Sequence, residues 1–301
     1  MEAHVSLELG EPDIRGGFRA LTALTEDLEP SDDVFLHEKK QKLFKYARAT
    51  DKQDELKKEL LEIKDKEQRR KLCRKDEGSN SSFHKDERSN TALHYAARAG
   101  NLETCKFLVG EGADIKALGQ NKMSPLQFAA RYGDEKKGEK VWTCMKWIME
   151  EDGNNQKETD DYNILQHAIQ NTNWEEDPVV VWELIKTRKF QISEPDKQGN
   201  TSLHLAAQFD RQDDHTLLEN FLPPYKEKDS NGQDYIDKAD LEKCIITVNK
   251  VGMTPLHVAC AVGNPDSVEQ LLEVARKSTS INVGNIVNIN WLLVRIIMVN
   301  N

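Results

Sequence analysis

Four histidines, His94, His167, His204 and His257, recur along the chain, and recurring imidazoles first suggest metal ligation. A zinc site draws its ligands in close pairs, whereas these four lie singly, tens of residues apart. Three of them share one local context: Thr91-Ala92-Leu93-His94, Thr201-Ser202-Leu203-His204 and Thr254-Pro255-Leu256-His257. A threonine at a helix start can accept from an orphan backbone N–H. A histidine three residues on lies over the same turn, where its ring can bond the hydroxyl and the backbone of a neighbouring loop. The expected role of these histidines is structural, with no metal and no cofactor.

A second candidate is the acidic stretch from Asp229 to Asp240, which has the flavour of a calcium loop. Oxygen side chains fall at loop positions 1, 3, 5, 9 and 12. The turn position holds Asp234 where a calcium loop needs glycine, and the last position holds Asp240 where it needs the longer, bidentate glutamate. The stretch is therefore expected to be an acidic surface loop. No nucleophile motif, phosphate-cradling glycine loop or carboxylate pair is found, so no catalytic residue is expected. Trp142, Trp147, Trp174 and Trp182 are expected to pack in the core or between repeats. The five cysteines, Cys73, Cys105, Cys144, Cys244 and Cys260, are odd in number and scattered, which fits reduced thiols better than a disulfide framework.

The elements that carry these residues form a series. Thr91, His94 and Gly100 mark a short helix and the left-handed residue that ends it. Ser124, Pro125, Gln127 and Gly133 repeat the pattern, with proline at the first helical position and glutamine in place of histidine. A worn copy follows at Asn163-Ile164-Leu165-Gln166-His167. Clean ones start at Thr201, with His204, and at Thr254, with Pro255, His257 and Gly263. The intervals between copies are 33, 39, 38 and 53 positions. Each copy is followed by a candidate second helix with apolar residues at helical spacing: residues 102–109, 141–149, 178–185, 215–222 and 265–275. A period near 33 residues, with insertions in loops, is the signature of a solenoid.

The chain has 301 residues, a net charge of −10 and a pI near 5.4. That balance argues against non-specific nucleic-acid binding, which needs a basic footprint. No window reaches the ~20 apolar residues of a transmembrane helix, and the acidic start has no apolar core of a secretory signal. Residues 1–37 are expected to be a disordered acidic arm. Residues 38–89 are expected to form a charged helical cap and a flexible connector; the apolar heptads are too brief for a coiled coil. Residues 90–277 hold about five repeats, with an insertion at 223–249. Residues 278–301 break the pattern with the apolar run Trp291–Val299. A truncated product of a longer gene is expected, with an improvised cap as the alternative.

These copies resemble ankyrin repeats. The resemblance implies an all-α ankyrin-repeat solenoid of helix-turn-helix units with short β-hairpin loops, closed by charged N-terminal helices. Residues 93–100 and 123–133, with the long insertions, are similar to the N-terminal ankyrin array of invertebrate TRP subfamily A cation channels, a likeness that covers roughly residues 40–277. It implies a cytosolic region, a fragment of a channel in ion transport and sensory signalling, that works through protein–protein contacts within a tetramer or with a partner. A free-standing soluble ankyrin adaptor is the alternative.

Overall fold

The computed structural model describes residues 32–49, 52–63, 89–152, 163–171, 178–210, 217–223 and 228–278. Twelve α-helices lie among the described residues: α1 Asp32–Arg48, α2 Gln53–Glu62, α3 Ala92–Arg98, α4 Leu102–Gly110, α5 Pro125–Tyr132, α6 Gly138–Glu151, α7 Ile164–Ile169, α8 Val179–Lys186, α9 Ser202–Phe209, α10 Lys238–Ile246, α11 Pro255–Val262 and α12 Pro265–Lys277. They stand in two rows. Helices α1, α3, α5, α7, α9 and α11 pack each on the next, and α2, α4, α6 and α8 form a second row behind them. The architecture is an ankyrin-repeat solenoid.

Small residues make the first row possible. Ala96, Ala97, Ala129, Ala130, Ala168, Ala206, Ala207 and Ala259 are all fully buried, so the helices can approach closely. The second row supplies the bulk: Leu108, Met145, Ile148, Val181 and Leu184 fill the space behind them. One continuous core runs from Leu43 to Ala275. The turns between units are closed by backbone hydrogen bonds, such as Gly119 N–H to Met123 O and Asn249 N–H to Met253 O, and no strand is present among the described residues.

At the N-terminal end, α1 begins at Asp32, inside the stretch expected to be arm. Helix α1 packs on α3, and α2 packs on α4, in the manner of one more repeat. Lys39, almost wholly covered, ties the pair together through Glu59 (2.7 Å) and Glu62 (2.5 Å). The connector at 76–88 and the tail from 279 lie outside the described residues.

The insertion departs from the sequence expectation. Its second half is not a surface loop but helix α10, with Leu241, Cys244 and Ile245 buried. The element expected as the second helix of that repeat is, in its described part, only a 3-10 turn, Leu217–Asn220. Helix α10 packs on α9 and also touches α11 and α12.

Candidate functional site

The geometry of the repeat signature shows what its residues do. In the first unit, His94 Nδ1 accepts from the Thr91 N–H at 3.1 Å and lies 2.8 Å from Thr91 Oγ1. With Nδ1 accepting, the ring proton sits on Nε2, which donates across the unit boundary to Met123 O at 3.1 Å. The Thr201–His204 pair repeats this, with Nε2 donating to Met253 O at 2.8 Å. Burial holds the His204 pKa below the ordinary value, which keeps the ring neutral and Nδ1 an acceptor. Thr254 and His257 form the same box at 3.1 Å and 2.6 Å.

Glutamine performs the same work in the other two units. Gln127 Oε1 accepts from Ser124 N–H at 2.8 Å, and Ser124 Oγ accepts from Gln127 N–H at 3.3 Å, while Pro125 takes the first helical position. In the worn unit the actor is Gln166, not its neighbour His167. Gln166 Oε1 accepts from Asn163 N–H at 2.9 Å, and Nε2 donates to Glu194 O in the next unit at 2.9 Å. The signature residues are thus brought together in pairs and linked unit to unit, and they do not converge on one cavity. Gly100 and Gly263 are left-handed, with φ +69° and +79°. Gly133 is not; a Cβ there would meet Ala129 O at 2.6 Å and Val141 Cγ1 at 2.9 Å, so close packing requires the glycine.

The acidic stretch is committed to structure. Asp229 Oδ1 accepts from Asn231 N–H and Gln233 N–H, at 2.9 and 2.8 Å, and Arg188 donates to Asp229 Oδ2 at 2.7 Å. Asp237 caps α10 through Ala239 N–H and Asp240 N–H, and Asp240 Oδ2 accepts from Ile192 N–H at 3.0 Å. The turn at Asp229-Ser230-Asn231-Gly232 matches those at Asp196-Lys197-Gln198-Gly199 and Asn249-Lys250-Val251-Gly252, where the first side chain accepts from the same two following N–H groups. Closing such a turn and binding calcium call for similar residues, which accounts for the likeness. Among the described residues no group of three His, Cys, Asp or Glu side chains could hold a metal ion.

Two buried residues matter that sequence reasoning passed over. The Cys244 thiol of α10, its pKa pushed up to about 12 by burial, lies 3.0 Å from Thr201 Oγ1 and 3.3 Å from Ile192 O. A polar chain therefore runs from α10 through Thr201 and His204 to the next unit. Asp210 stands where three other units have glycine. It accepts from Leu217 N–H at 2.5 Å and from the Ser267 hydroxyl, so it bridges the fourth and fifth units. Burial raises its carboxyl to about 6. Cys105, Cys144, Cys244 and Cys260 are free and buried, and Cys73 lies outside the described residues. Trp142, Trp147 and Trp182 pack against the core; Trp174 also lies outside.

The family models agree with this geometry. Residues 46–138 match the family model for ankyrin repeats in three copies, and residues 251–286 match that for a single ankyrin repeat. The helix pairs within these two spans are ankyrin repeats. No curated protein matches the chain. Among solved structures, a chain from the complex of the Bd0816 predatory endopeptidase of Bdellovibrio bacteriovorus with the immunity protein Bd3460 is similar, at 19% identity and a TM-score of 0.45, over 77% of this chain and 96% of that one.

Proposed function

We propose that this chain is a non-enzymatic recognition module whose partner is a protein, bound on the first-row helices and the turns that lead into them. One observation carries the reading. Three large apolar residues, Ile246, Val248 and Val251, are exposed within one short stretch, Val251 at 76%. The turn that presents Val251 is rigid: Asn249 closes it, and Lys250 N–H donates to Gln198 O of the preceding turn at 2.9 Å. A stiff turn loses little entropy when apolar side chains on it are covered by a partner.

Selection of displayed peptides against the chain tests this. Binders are expected to lose at least tenfold in affinity to Val251→Asp and to be indifferent to Lys106→Glu on the second row. Binders insensitive to the turn, or no binders at all, would overturn the reading.

A finer reading is that the chain is the cytosolic ankyrin portion of a TRP-A-like channel, acting within a tetramer; the likeness at residues 93–100 and 123–133 supports it. Among the described residues no helix is long and apolar enough to cross a membrane. Transcript sequence beyond Lys277 decides between channel and adaptor: further repeats followed by six apolar segments of ~20 residues favour the channel.

A further inference from the structure

Helix α12 ends on two exposed cations and a hydroxyl. Arg276 and Lys277 lie in its last turn, and Ser278 caps it, where a ψ of 126° turns the chain out of the helix. Ser278 Oγ donates to Glu242 Oε1 of α10 at 2.7 Å. The end of the fifth unit is thereby tied to the inserted helix. Lys277 pairs with Glu273 at 2.5 Å, and Lys238, largely exposed, stands 3.8 Å from Glu242. A serine directly after Arg-Lys, where a helix gives way to extended backbone, is the charge pattern that arginine-selecting protein kinases read.

We propose that Ser278 is a phosphorylation site and that its phosphate loosens α10 against α12. The kinase moves the γ-phosphoryl group of a nucleoside triphosphate to Ser278 Oγ. The Oγ–P bond forms and the bond from the γ-phosphorus to the bridging oxygen breaks. The hydroxyl proton passes to the kinase's base, and a nucleoside diphosphate leaves. The oxygen that donated to Glu242 then has no proton to give. Nearly two negative charges stand instead beside a carboxylate, at the negative end of a helix, where a phosphate disrupts. The nearby cations do not offset this, because Lys277 already has Glu273 and an exposed pair with Lys238 contributes little. The effect reaches further than the junction. Cys244 of α10 touches Thr201 of α9, and the chain runs on from α10 through Thr247 into Val248 and the turn that carries Val251. A looser α10 therefore leaves that turn less stiff. What this means for a partner rests on the reading of the turn as a contact surface; the loosening itself does not.

Incubation of the full-length chain with ATP and the catalytic subunit of an arginine-selecting serine kinase tests the proposal, with the site read by tandem mass spectrometry. Phosphate is expected on Ser278, with a yield at least tenfold lower in Arg276→Gln/Lys277→Gln, a variant whose fold is checked by circular dichroism. Hydrogen exchange in α10 and in residues 248–252 is expected to quicken at least tenfold on phosphorylation. In Glu242→Gln, whose amide can donate to the phosphate, the change is expected to stay within twofold. Ser278→Ala, which loses only the hydrogen bond, is expected to change α10 less than the phosphate does. Phosphate confined to Thr279 or Ser280, no phosphate at all, a yield indifferent to Arg276 and Lys277, unchanged exchange in α10, or equal quickening in Glu242→Gln would overturn the proposal. Exchange needs no partner, so a peptide selection that yields no binders sinks the recognition reading and leaves this one standing.

Discussion

Replacing His204 by alanine removes a ring that serves two units at once. Thr201 N–H loses its acceptor, at 3.1 Å, while Met253 O loses one of two donors, at 2.8 Å, and keeps Asn249 N–H at 2.9 Å. Thr201 is fully buried, so no water replaces the ring there. A buried polar group left without a partner costs about 1–3 kcal/mol. With Thr201 N–H as the one group orphaned, the expected loss is about 1–3 kcal/mol. The chain provides its own control, since Gln127 and Gln166 fill the same post in other units through a side-chain oxygen and, in Gln166, a donor to the next unit. His204→Gln should therefore cost no more than about 1 kcal/mol. Urea denaturation measures the totals, and hydrogen exchange in α9 and α11 locates them. For alanine, exchange there should quicken roughly 5- to 140-fold, at 1.4 kcal/mol per decade. Equal losses for alanine and glutamine, or an alanine loss of a few tenths of a kcal/mol, would refute the bridging role.

Four further expectations can be measured alongside. Asp210 holds its proton more tightly folded than unfolded, so it contributes stability below pH ~4 that is lost as pH rises through about 6, up to about 3 kcal/mol for a shift of this size. His204, with its folded pKa depressed, has the opposite sign and costs stability as pH falls below ~6.5; Asp210→Asn should therefore lose stability more steeply than the parent between pH 6.5 and 5 in urea titrations. Leu241→Ala in α10 should cost about 2–4 kcal/mol, and deletion of residues 227–243 should destabilise α9, whereas a surface loop would tolerate both. Gly100→Ala should cost well over 1 kcal/mol, because a Cβ there meets Lys140 Cβ at 2.8 Å in addition to the left-handed strain, while Gly263→Ala, with open space around it, should cost about 1 kcal/mol. Calorimetry with calcium should show no heat of binding, and zinc or a chelator should leave Tm unchanged; binding at micromolar calcium lost in Asp229→Ala would show that the acidic turn is a metal site after all.

The repeats were legible because each unit needs the same local solution. A short helix between two neighbours must cap its own N-terminus, and a residue three positions on does this while reaching the next turn. That requirement writes Thr-x-Leu-His or Ser-Pro-Leu-Gln into the sequence. It also hid Gln166, which stands beside the more conspicuous His167 and itself closes the cap. Helix α10 was obscured by its own cap: Asp237 and Asp240 read as part of an acidic surface loop, although Leu241, Cys244 and Ile245 stand at helical spacing. Asp210 was visible only as a break in the glycine pattern, and its partners, Leu217 and Ser267, lie in elements that periodicity does not pair with it.

Segment-resolved hydrogen exchange on the full chain tests most directly whether these helices form one nearest-neighbour array with α10 built in. Helices α5 and α9, each packed between first-row neighbours, should exchange slowest. Helix α10 should be protected well above the turns, and α11, where Ala261 and Val262 are exposed, should open before α9. Exchange in α10 as fast as in the turns, or protection in α11 equal to that in α9, would contradict it.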